Sequence, residues 1–117
     1  MDFRLSEEQT AILDLARRFA RERIRPHVRE YDREERFPLD IYAELGQLGL
    51  CGGVIPEQYG GSGMDYQTYS LLIMELAEVC QVMACSASWA SGVGGISVLR
   101  FGTEEQKQKY LVPLAKG

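Results

Sequence analysis

The chain has 117 residues, a net charge of −4 and a pI of about 5.0; 45% of its residues are hydrophobic and 26% are charged. These values fit one soluble domain with its own core, and they exclude a wholly disordered chain, a collagen-like chain and a disulfide scaffold. The acidic balance argues against nucleic acid as a partner, because nucleic-acid binders usually carry a basic excess.

The charged and sulfur-containing residues suggest no metal or disulfide chemistry. Residues 1–36 hold nine arginines and nine acidic residues, so mixed signs predict a solvated helix face rather than a patch for an anionic partner. His27 is the one histidine and is expected at the surface. Cys51, Cys80 and Cys85 lack CxxC spacing and are predicted to be buried thiols in a reducing compartment.

We expect no targeting segment at the start of the chain, and one stretch raises the question of a membrane. Residues 1–8 lack the apolar core of a signal peptide, and the acids around them argue against a transit peptide, so we expect a cytoplasmic protein. Residues 79–99 form 21 positions without a charge, long enough to span a bilayer. Because serines and glycines dilute their apolarity, we expect a buried helix of a soluble protein and no membrane partner.

Helical spacing dominates the first half of the chain. Ser6 and Gln9 form a capping-box pattern before a first helix, and Pro26 is expected to interrupt that helix and open a second one reaching about Arg33. The apolar stripe of the first helix consists of Ile12, Leu15, Ala16, Phe19 and Ile24. After a break at Phe37, a third helix is expected to start at Pro38 and stop at Gly49. Its predicted inner face consists of Ile41, Leu45 and Leu48.

The second half begins with an irregular segment, residues 51–65, rich in glycine and proline. Asp65 is a fair N-cap for a fourth helix, which we extend to about Met83, and a small-residue helix is predicted from about Ala84 to Arg100. The apolar positions of the fourth helix are Tyr69, Leu72, Ile73, Leu76, Cys80 and Met83.

Thr103 and Gln106 repeat the capping-box pattern before a last amphipathic helix that contains Tyr110 and Leu111. No segment alternates with period two for long, so strands are expected to be essentially absent. The sequence therefore predicts an all-α fold, an antiparallel bundle of five to six helices.

Most reaction signatures are missing. The glycines form neither a P-loop nor a dinucleotide-binding GxGxxG after a strand, and Ser62 does not lie in a nucleophile elbow. Glu78 precedes the uncharged stretch and is expected to face solvent. By composition alone the chain is a helical domain of unknown activity.

Short motifs, in order along the whole chain, resemble the acyl-CoA dehydrogenase family. The strongest is IPEQYGGSG at residues 55–63, followed by Asp65 and by ELA at residues 75–77. The match extends over LSEEQ at 5–9, Arg18-Phe19, Pro26, Asp32, Phe37-Pro38, Leu48-Gly49-Leu50, FGTEEQK at 101–107, KYL at 109–111, PLA at 113–115 and Gly117. Each piece is weak alone, but their order and spacing together are specific.

The resemblance implies a fold and a reaction. The family's amino-terminal domain is all-helical, so residues 1–117 are expected to be this single domain, with the family's β-sheet middle domain and second helical domain absent. The complete enzyme is expected to use FAD, to dehydrogenate an acyl-CoA thioester between its α and β carbons in fatty acid metabolism, and to pass electrons to an electron-transfer flavoprotein. It is also expected to be a homo-oligomer.

In the family, most FAD contacts and the catalytic glutamate lie in the domains that this chain lacks. We therefore assign no catalytic, cofactor-binding or metal-binding residue here, and we give the role of the base to none of Glu57, Glu75 or Glu78. The isolated chain is expected to be catalytically inactive. The Gly60–Gly63 turn is expected to have a structural role, because glycines permit positive φ.

The resemblance also implies that the amino-terminal helices wall the acyl-chain cavity. We therefore predict that Ser88, Trp89, Gly92, Val93 and Ile96 contact the acyl chain, with small residues leaving room for it and Trp89 limiting its depth or stacking on an aromatic acyl group. The competing interpretation is that the small residues let helices pack closely and that Trp89 fills the core.

A function of another class stays open at this point, that of a stand-alone helical interaction module. Such a module would bind itself or a partner without flavin and would be well behaved alone. An enzyme domain would instead expose an apolar face where further domains dock.

Overall fold

The computed structural model describes residues 3–117, which form five helical rods. The helices are α1 (Glu7–Phe19), α2 (Val28–Arg33), α3 (Leu39–Gln47), α4 (Tyr66–Val79), α5 (Gln81–Ser88), α6 (Gly95–Phe101), α7 (Glu104–Gln106) and α8 (Val112–Lys116). Wider π turns at Ala20–Ile24, Trp89–Gly94 and Lys107–Leu111 join some of them. The rods cover residues 7–33, 39–47, 66–79, 81–101 and 104–116. The structure is 76% helical with no strand in its described part, which confirms the predicted all-α fold.

Both predicted capping boxes form. The Ser6 hydroxyl accepts from the Gln9 N–H at 3.1 Å, and the Ser6 N–H donates to the Gln9 side chain at 3.0 Å. Thr103 and Gln106 repeat the arrangement at 3.2 and 2.9 Å. Each box satisfies two N–H groups that have no partner inside the helix, and so fixes where the helix begins.

Asp65 caps α4 as predicted and also ties α4 to α1. Its carboxylate accepts the Thr68 N–H at 2.9 Å, and this bond, with one from the Thr68 hydroxyl, holds the pKa of Asp65 below its usual range. The Gln9 amide donates to the Thr68 hydroxyl at 2.8 Å. The starts of the two longest α-helices therefore lie side by side.

Pro26 does not break the first rod. The π turn Ala20–Ile24 widens the helix, and a 3-10 turn, Arg25–His27, then places Pro26 in its first turn, where a missing N–H costs nothing. As predicted, α2 ends at Arg33.

The predicted boundary between the fourth and fifth helices is wrong. The fourth helix ends at Val79, Cys80 alone is extended at φ −151° and ψ 105°, and the next helix begins at Gln81. The Cys80 N–H still donates to the Leu76 carbonyl at 2.8 Å, and its carbonyl accepts from Ala84 at 3.1 Å. A single residue redirects the chain without losing either hydrogen bond, so no glycine or proline marks the place.

Two core assignments are corrected by the packing. Leu48 is 41% exposed because it caps α3 beyond its last turn, whereas Ile41 and Leu45 are buried as predicted. Tyr110 is 47% exposed and lies in a π turn, which shifts the inward face, whereas Leu111 is fully buried.

The predicted surface histidine and buried thiols have mixed outcomes. The His27 side chain is 44% exposed, as expected. Cys51 is buried and Cys80 is half-buried, but Cys85 is exposed, so the prediction of a buried thiol is wrong there. Cys85 lies on a side of its helix that no other part of the described chain covers.

Two clusters of buried residues form the interior. The larger lies between α1, α3, α4 and α5, and a smaller one lies beneath the last rod. The large, fully buried side chains of the first are Ile24, Leu45, Leu50, Leu72, Leu76 and Met83, and the second contains Ile55, Tyr59, Leu111 and Ala115. The second core therefore fixes the glycine-rich loop against the last rod.

By length and hydropathy alone, one helix in residues 3–117 could cross a membrane, Gln81–Phe101, with a mean hydropathy of 1.4. Core helices of soluble proteins meet the same criterion. Only 33% of its most apolar 18-residue segment is buried. The helix is therefore covered on one face only, whereas the sequence predicts a buried helix.

Candidate functional site

The rod Gln81–Phe101 has two unlike faces. Its inner face consists of small or flexible residues that are buried mainly against α4 and α8, namely Met83, Ala84, Ala87, Ala90 and Ser91. Its outer face carries Val82, Trp89 and Val93, which are 60%, 64% and 64% exposed. Exposed large apolar side chains in one row are typical of a surface that another part of an assembly covers.

The structure places the five predicted acyl-contacting residues on this rod. Trp89 and Val93 are exposed, and Ser88, Gly92 and Ile96 are half-buried. They form two neighbouring rows, 88–92–96 and 89–93, with the four-residue spacing that puts helix side chains next to each other.

The two interpretations of the small residues apply to different glycines. A Cβ on Gly95 would lie 3.1 Å from the Ile55 side chain, so Gly95 allows close packing. A Cβ on Gly92 would meet nothing within 4 Å, so Gly92 keeps an open notch beside Trp89. The idea that Trp89 fills the core is wrong, because its side chain lies outside the core.

The serines of this rod leave the outer face apolar. The hydroxyls of Ser86, Ser88 and Ser97 donate to carbonyls of their own helix, those of Val82, Cys85 and Val93, at 2.9, 2.8 and 2.6 Å. Because the donors are used within the helix, the hydroxyls do not demand polar partners outside it. The face can therefore contact a hydrocarbon in spite of its serine content.

A shallow depression of about 470 Å³ lies at the start of the outer face, lined by Gln81, Val82, Cys85, Ser86 and Trp89. Of these five lining residues, only Trp89 is among the acyl contacts that the sequence predicted. The spacing of Val82, Cys85, Trp89 and Val93, by three and then four residues, is the signal that could have found it.

Two tyrosines that the sequence patterns did not indicate as site residues hold this rod from beneath. The Tyr42 hydroxyl donates to the Ser86 carbonyl at 3.2 Å, and the Tyr69 hydroxyl donates to the Ala87 carbonyl at 3.3 Å. Burial raises the pKa of both phenols, so they stay protonated donors at neutral pH.

The three glutamates considered as a base are ion-paired or exposed. Arg17 pairs with Glu75 through two bonds of 3.0 and 2.5 Å, while Glu57 and Glu78 are exposed. The described residues contain no group of three or more potential ligands that could hold a metal ion. The structure gives no ground for assigning a base to any of these glutamates.

The glycine-rich loop does not fit a flavin phosphate. Gly60 and Gly63 have φ of 83° and 59°, the left-handed backbone expected from the sequence. The N–H groups of Gly61, Ser62, Gly63 and Met64 all donate to carbonyls within residues 52–56. A phosphate cradle needs free N–H groups, so the N–H groups of residues 61–64 do not form one.

An all-helical domain whose longest uncharged stretch, residues 79–99, offers one apolar face is the kind of domain that forms one wall of a larger hydrophobic site. The comparisons with known proteins give the family: the chain belongs to the acyl-CoA dehydrogenases, and the model of their N-terminal domain matches residues 6–117.

Relatives and solved structures agree with this assignment. The chain is 40% identical, over its whole length, to a short-chain specific acyl-CoA dehydrogenase of Clostridium acetobutylicum, and covers 31% of that protein. Butyryl-CoA dehydrogenase of Megasphaera elsdenii matches 99% of the chain with a TM-score of 0.90 and 36% identity, again over 31% of its own length. A structure described as the electron transferring flavoprotein of Acidaminococcus fermentans contains a chain with a TM-score of 0.93 and 39% identity, of which 31% is covered, and all of our chain is matched. The chain thus spans about a third of the length of these proteins.

Proposed function

We propose that this domain serves in a flavin-dependent α,β-dehydrogenation of an acyl-CoA thioester. Its part is to wall the acyl-chain site with Ser88, Trp89, Gly92, Val93 and Ile96. The observation that carries the proposal is the exposed apolar face of the rod 81–101, whose serine donors are all turned inward to helix carbonyls.

The face contributes binding and dryness rather than proton or hydride transfer. FAD, when bound in the complete enzyme, accepts the hydride that leaves the β carbon. Because the N–H groups of residues 59–64 all donate to carbonyls of the glycine-rich loop, and Glu75 is ion-paired while Glu57 and Glu78 are exposed, we place flavin binding and proton abstraction on residues outside this chain. We therefore expect the isolated chain to be inactive.

We further propose an electron-transfer flavoprotein as the electron acceptor of the complete enzyme. The likeness to a chain from a structure described as an electron transferring flavoprotein supports this partner.

We propose a short acyl group as the substrate class. The relative and the structure described above are named for short-chain acyl-CoA and butyryl-CoA. The bulk of the exposed Trp89 fits this class, because an indole ring on the wall shortens the space beyond it.

Trp89→Ala in the flavin-loaded enzyme that contains this domain tests the proposal. We expect kcat/KM for octanoyl-CoA relative to butyryl-CoA to rise about tenfold or more, since each methylene accepted by an apolar pocket changes discrimination by roughly ten- to two-hundredfold.

Phe101→Ala is the matched control, because Phe101 lies on the same rod, is 87% exposed and is not among the five residues. The control should keep the chain-length profile of the unmodified enzyme. An unchanged profile in Trp89→Ala would remove Trp89 from the acyl site, and equal changes in both variants would show a nonspecific effect.

A further inference from the structure

The start of the outer face is held by three hydroxyl donors on two successive carbonyls. Tyr42 of α3 donates to the Ser86 carbonyl, and Tyr69 of α4 donates to the Ala87 carbonyl. The Ser91 hydroxyl also donates to the Ala87 carbonyl, at 3.5 Å. Bonds from two other helices to adjacent carbonyls of a third fix both its position and its rotation.

These carbonyls lie immediately before the wide turn of the rod. The π turn Trp89–Gly94 begins two residues after Ala87. In a regular α-helix the carbonyls of residues 86 and 87 accept from the N–H groups of residues 90 and 91. Side-chain donors inserted at such carbonyls compete with the helix ladder and are a recognised cause of local widening or bending.

Each tyrosine hydroxyl has one further polar side chain beside it, Cys51 at Tyr42 and Ser91 at Tyr69. Tyr69 is 9% exposed and Tyr42 is half-buried, and both rings pack near Cys51 beneath the rod. A buried phenol without its acceptor would leave an unpaired polar group, so the two hydrogen bonds are strongly favoured.

From these contacts we infer that Tyr69, with Tyr42, is a positioning residue that sets the wide turn and thereby the place of Trp89 and Val93 on the outer face. The hydroxyls act through the Ser86 and Ala87 carbonyls and do not touch the outer face themselves. The inference deepens the proposed function, because its consequence for acyl-chain selection rests on that function. The positioning of the rod by the two tyrosines does not rest on the proposed function.

The test uses Tyr69→Phe in this chain, which keeps the ring in the core and removes only the hydroxyl. Amide hydrogen exchange at residues 90–95 should become about fivefold faster, the factor that corresponds to a typical lost hydrogen bond. The indole N–H resonance of Trp89, the one tryptophan, should also move. Amides in α1 serve as the internal reference. Their exchange rates should be unchanged once any change in the global free energy of unfolding is taken into account.

Tyr66→Phe is the matched control, since Tyr66 lies on the same helix and is 61% exposed. It should leave both signals unchanged. Tyr42→Phe should reproduce the effect of Tyr69→Phe through the neighbouring carbonyl. Unchanged exchange and an unmoved indole resonance in both Tyr69→Phe and Tyr42→Phe would overturn the inference.

The acyl-chain profile of the flavin-loaded enzyme separates this inference from the proposed function. A changed indole resonance with a shifted profile in Tyr69→Phe supports both. A changed resonance with an unshifted profile keeps the positioning role and counts against the acyl-facing role of Trp89.

Discussion

Single glycines show how backbone contacts decide which residue a position tolerates. Gly61 lies where the glycine-rich loop folds back, and a Cβ there would collide with the Ile55 carbonyl. Gly92, on the outer face of its helix, has open space where a Cβ would stand. Replacement of glycine by alanine should therefore change the free energy of unfolding in opposite directions at the two sites.

Gly61→Ala should lower the free energy of unfolding by at least about 2 kcal/mol, because the loop backbone must shift to admit a methyl group. Gly92→Ala should raise it by about 0.5–1 kcal/mol, since alanine loses less backbone entropy in a helix. Urea unfolding of the two variants beside the parent chain provides the measurement. A Gly61→Ala variant as stable as the parent would contradict the close approach of this loop to Ile55.

The helix α2 ends at the predicted residue, but with a left-handed cap that its sequence does not predict. Glu35 has φ +50°, left-handed backbone that favours glycine. Its N–H donates to the Asp32 carbonyl at 3.2 Å, and the Arg36 N–H donates to the Tyr31 carbonyl at 3.0 Å. These are the two bonds of a Schellman motif, and the Arg36 guanidinium over the Tyr31 ring, 4.8 Å from its centroid, supplies the side-chain contact.

Glu35→Gly should raise the free energy of unfolding by about 1 kcal/mol, the cost of holding a residue with a Cβ in this backbone region. Glu34→Gly is the matched control, because Glu34 has φ −85° and gains nothing from glycine. Thermal unfolding followed by circular dichroism compares the two. A melting temperature of Glu35→Gly at or below that of Glu34→Gly would contradict the left-handed backbone at Glu35.

The whole molecule is a slab of 41 × 38 × 20 Å. Its thickness is about two helix diameters, so a helix in either layer has one side without a neighbour. The rod Gln81–Phe101 buries its small residues on the inner side and leaves Trp89 and Val93 on the other. The outer face is thus a consequence of the two-layer architecture and of which residues fill the inner layer.

Ion pairs link neighbouring helices at the surface. Arg17 of α1 binds Glu75 of α4, and Arg23 binds Glu44 of α3 through bonds of 2.8 and 2.6 Å. The Arg23 guanidinium lowers the pKa of Glu44. Because each pair is bidentate, it constrains how the two elements that it joins are placed. Exposure to water limits what each pair adds to stability.

Buried ionisable side chains lie beneath the rod Gln81–Phe101, and they make the free energy of unfolding depend on alkaline pH. Burial raises the pKa of Cys51 from its ordinary value of 9.0 to about 11, and burial also raises the pKa of Tyr42 and Tyr69. A raised pKa keeps the thiol protonated in the folded state while the unfolded chain ionises. This contribution to stability is therefore complete below about pH 9 and is lost as the pH rises to about 11.

The free energy of unfolding in urea should fall over this alkaline range. The fall should be less steep in Cys51→Ala, which removes the buried thiol. Cys85→Ala, at an exposed thiol, is the control and should follow the parent chain. Equal slopes in Cys51→Ala and the parent would show that Cys51 is not protected from ionisation by the core.

Much of the fold could be predicted from local patterns. Ser6, Thr103 and Asp65 mark helix starts because a side-chain oxygen caps N–H groups two or three residues away. Gly49 and Gly60 mark turns because only glycine adopts positive φ freely. The Cys80 bend and the Glu35 cap escaped prediction for different reasons. The extended backbone of Cys80 suits any residue, so its sequence marks no helix boundary, whereas a glutamate rarely adopts the left-handed backbone of Glu35.

For the candidate site, the sequence predicted one small-residue helix from about Ala84 to Arg100, and its motifs indicated the family. Only the tertiary structure decided that Trp89 faces outward, that Gly92 is open while Gly95 is packed, and that Tyr42 and Tyr69 hold the Ser86 and Ala87 carbonyls. The physical reason is the range of the interactions. Helix starts and turns depend on hydrogen bonds within a few residues, whereas the choice of the covered face depends on contacts such as that between Tyr42 and Ser86, which exist only once the helices have packed.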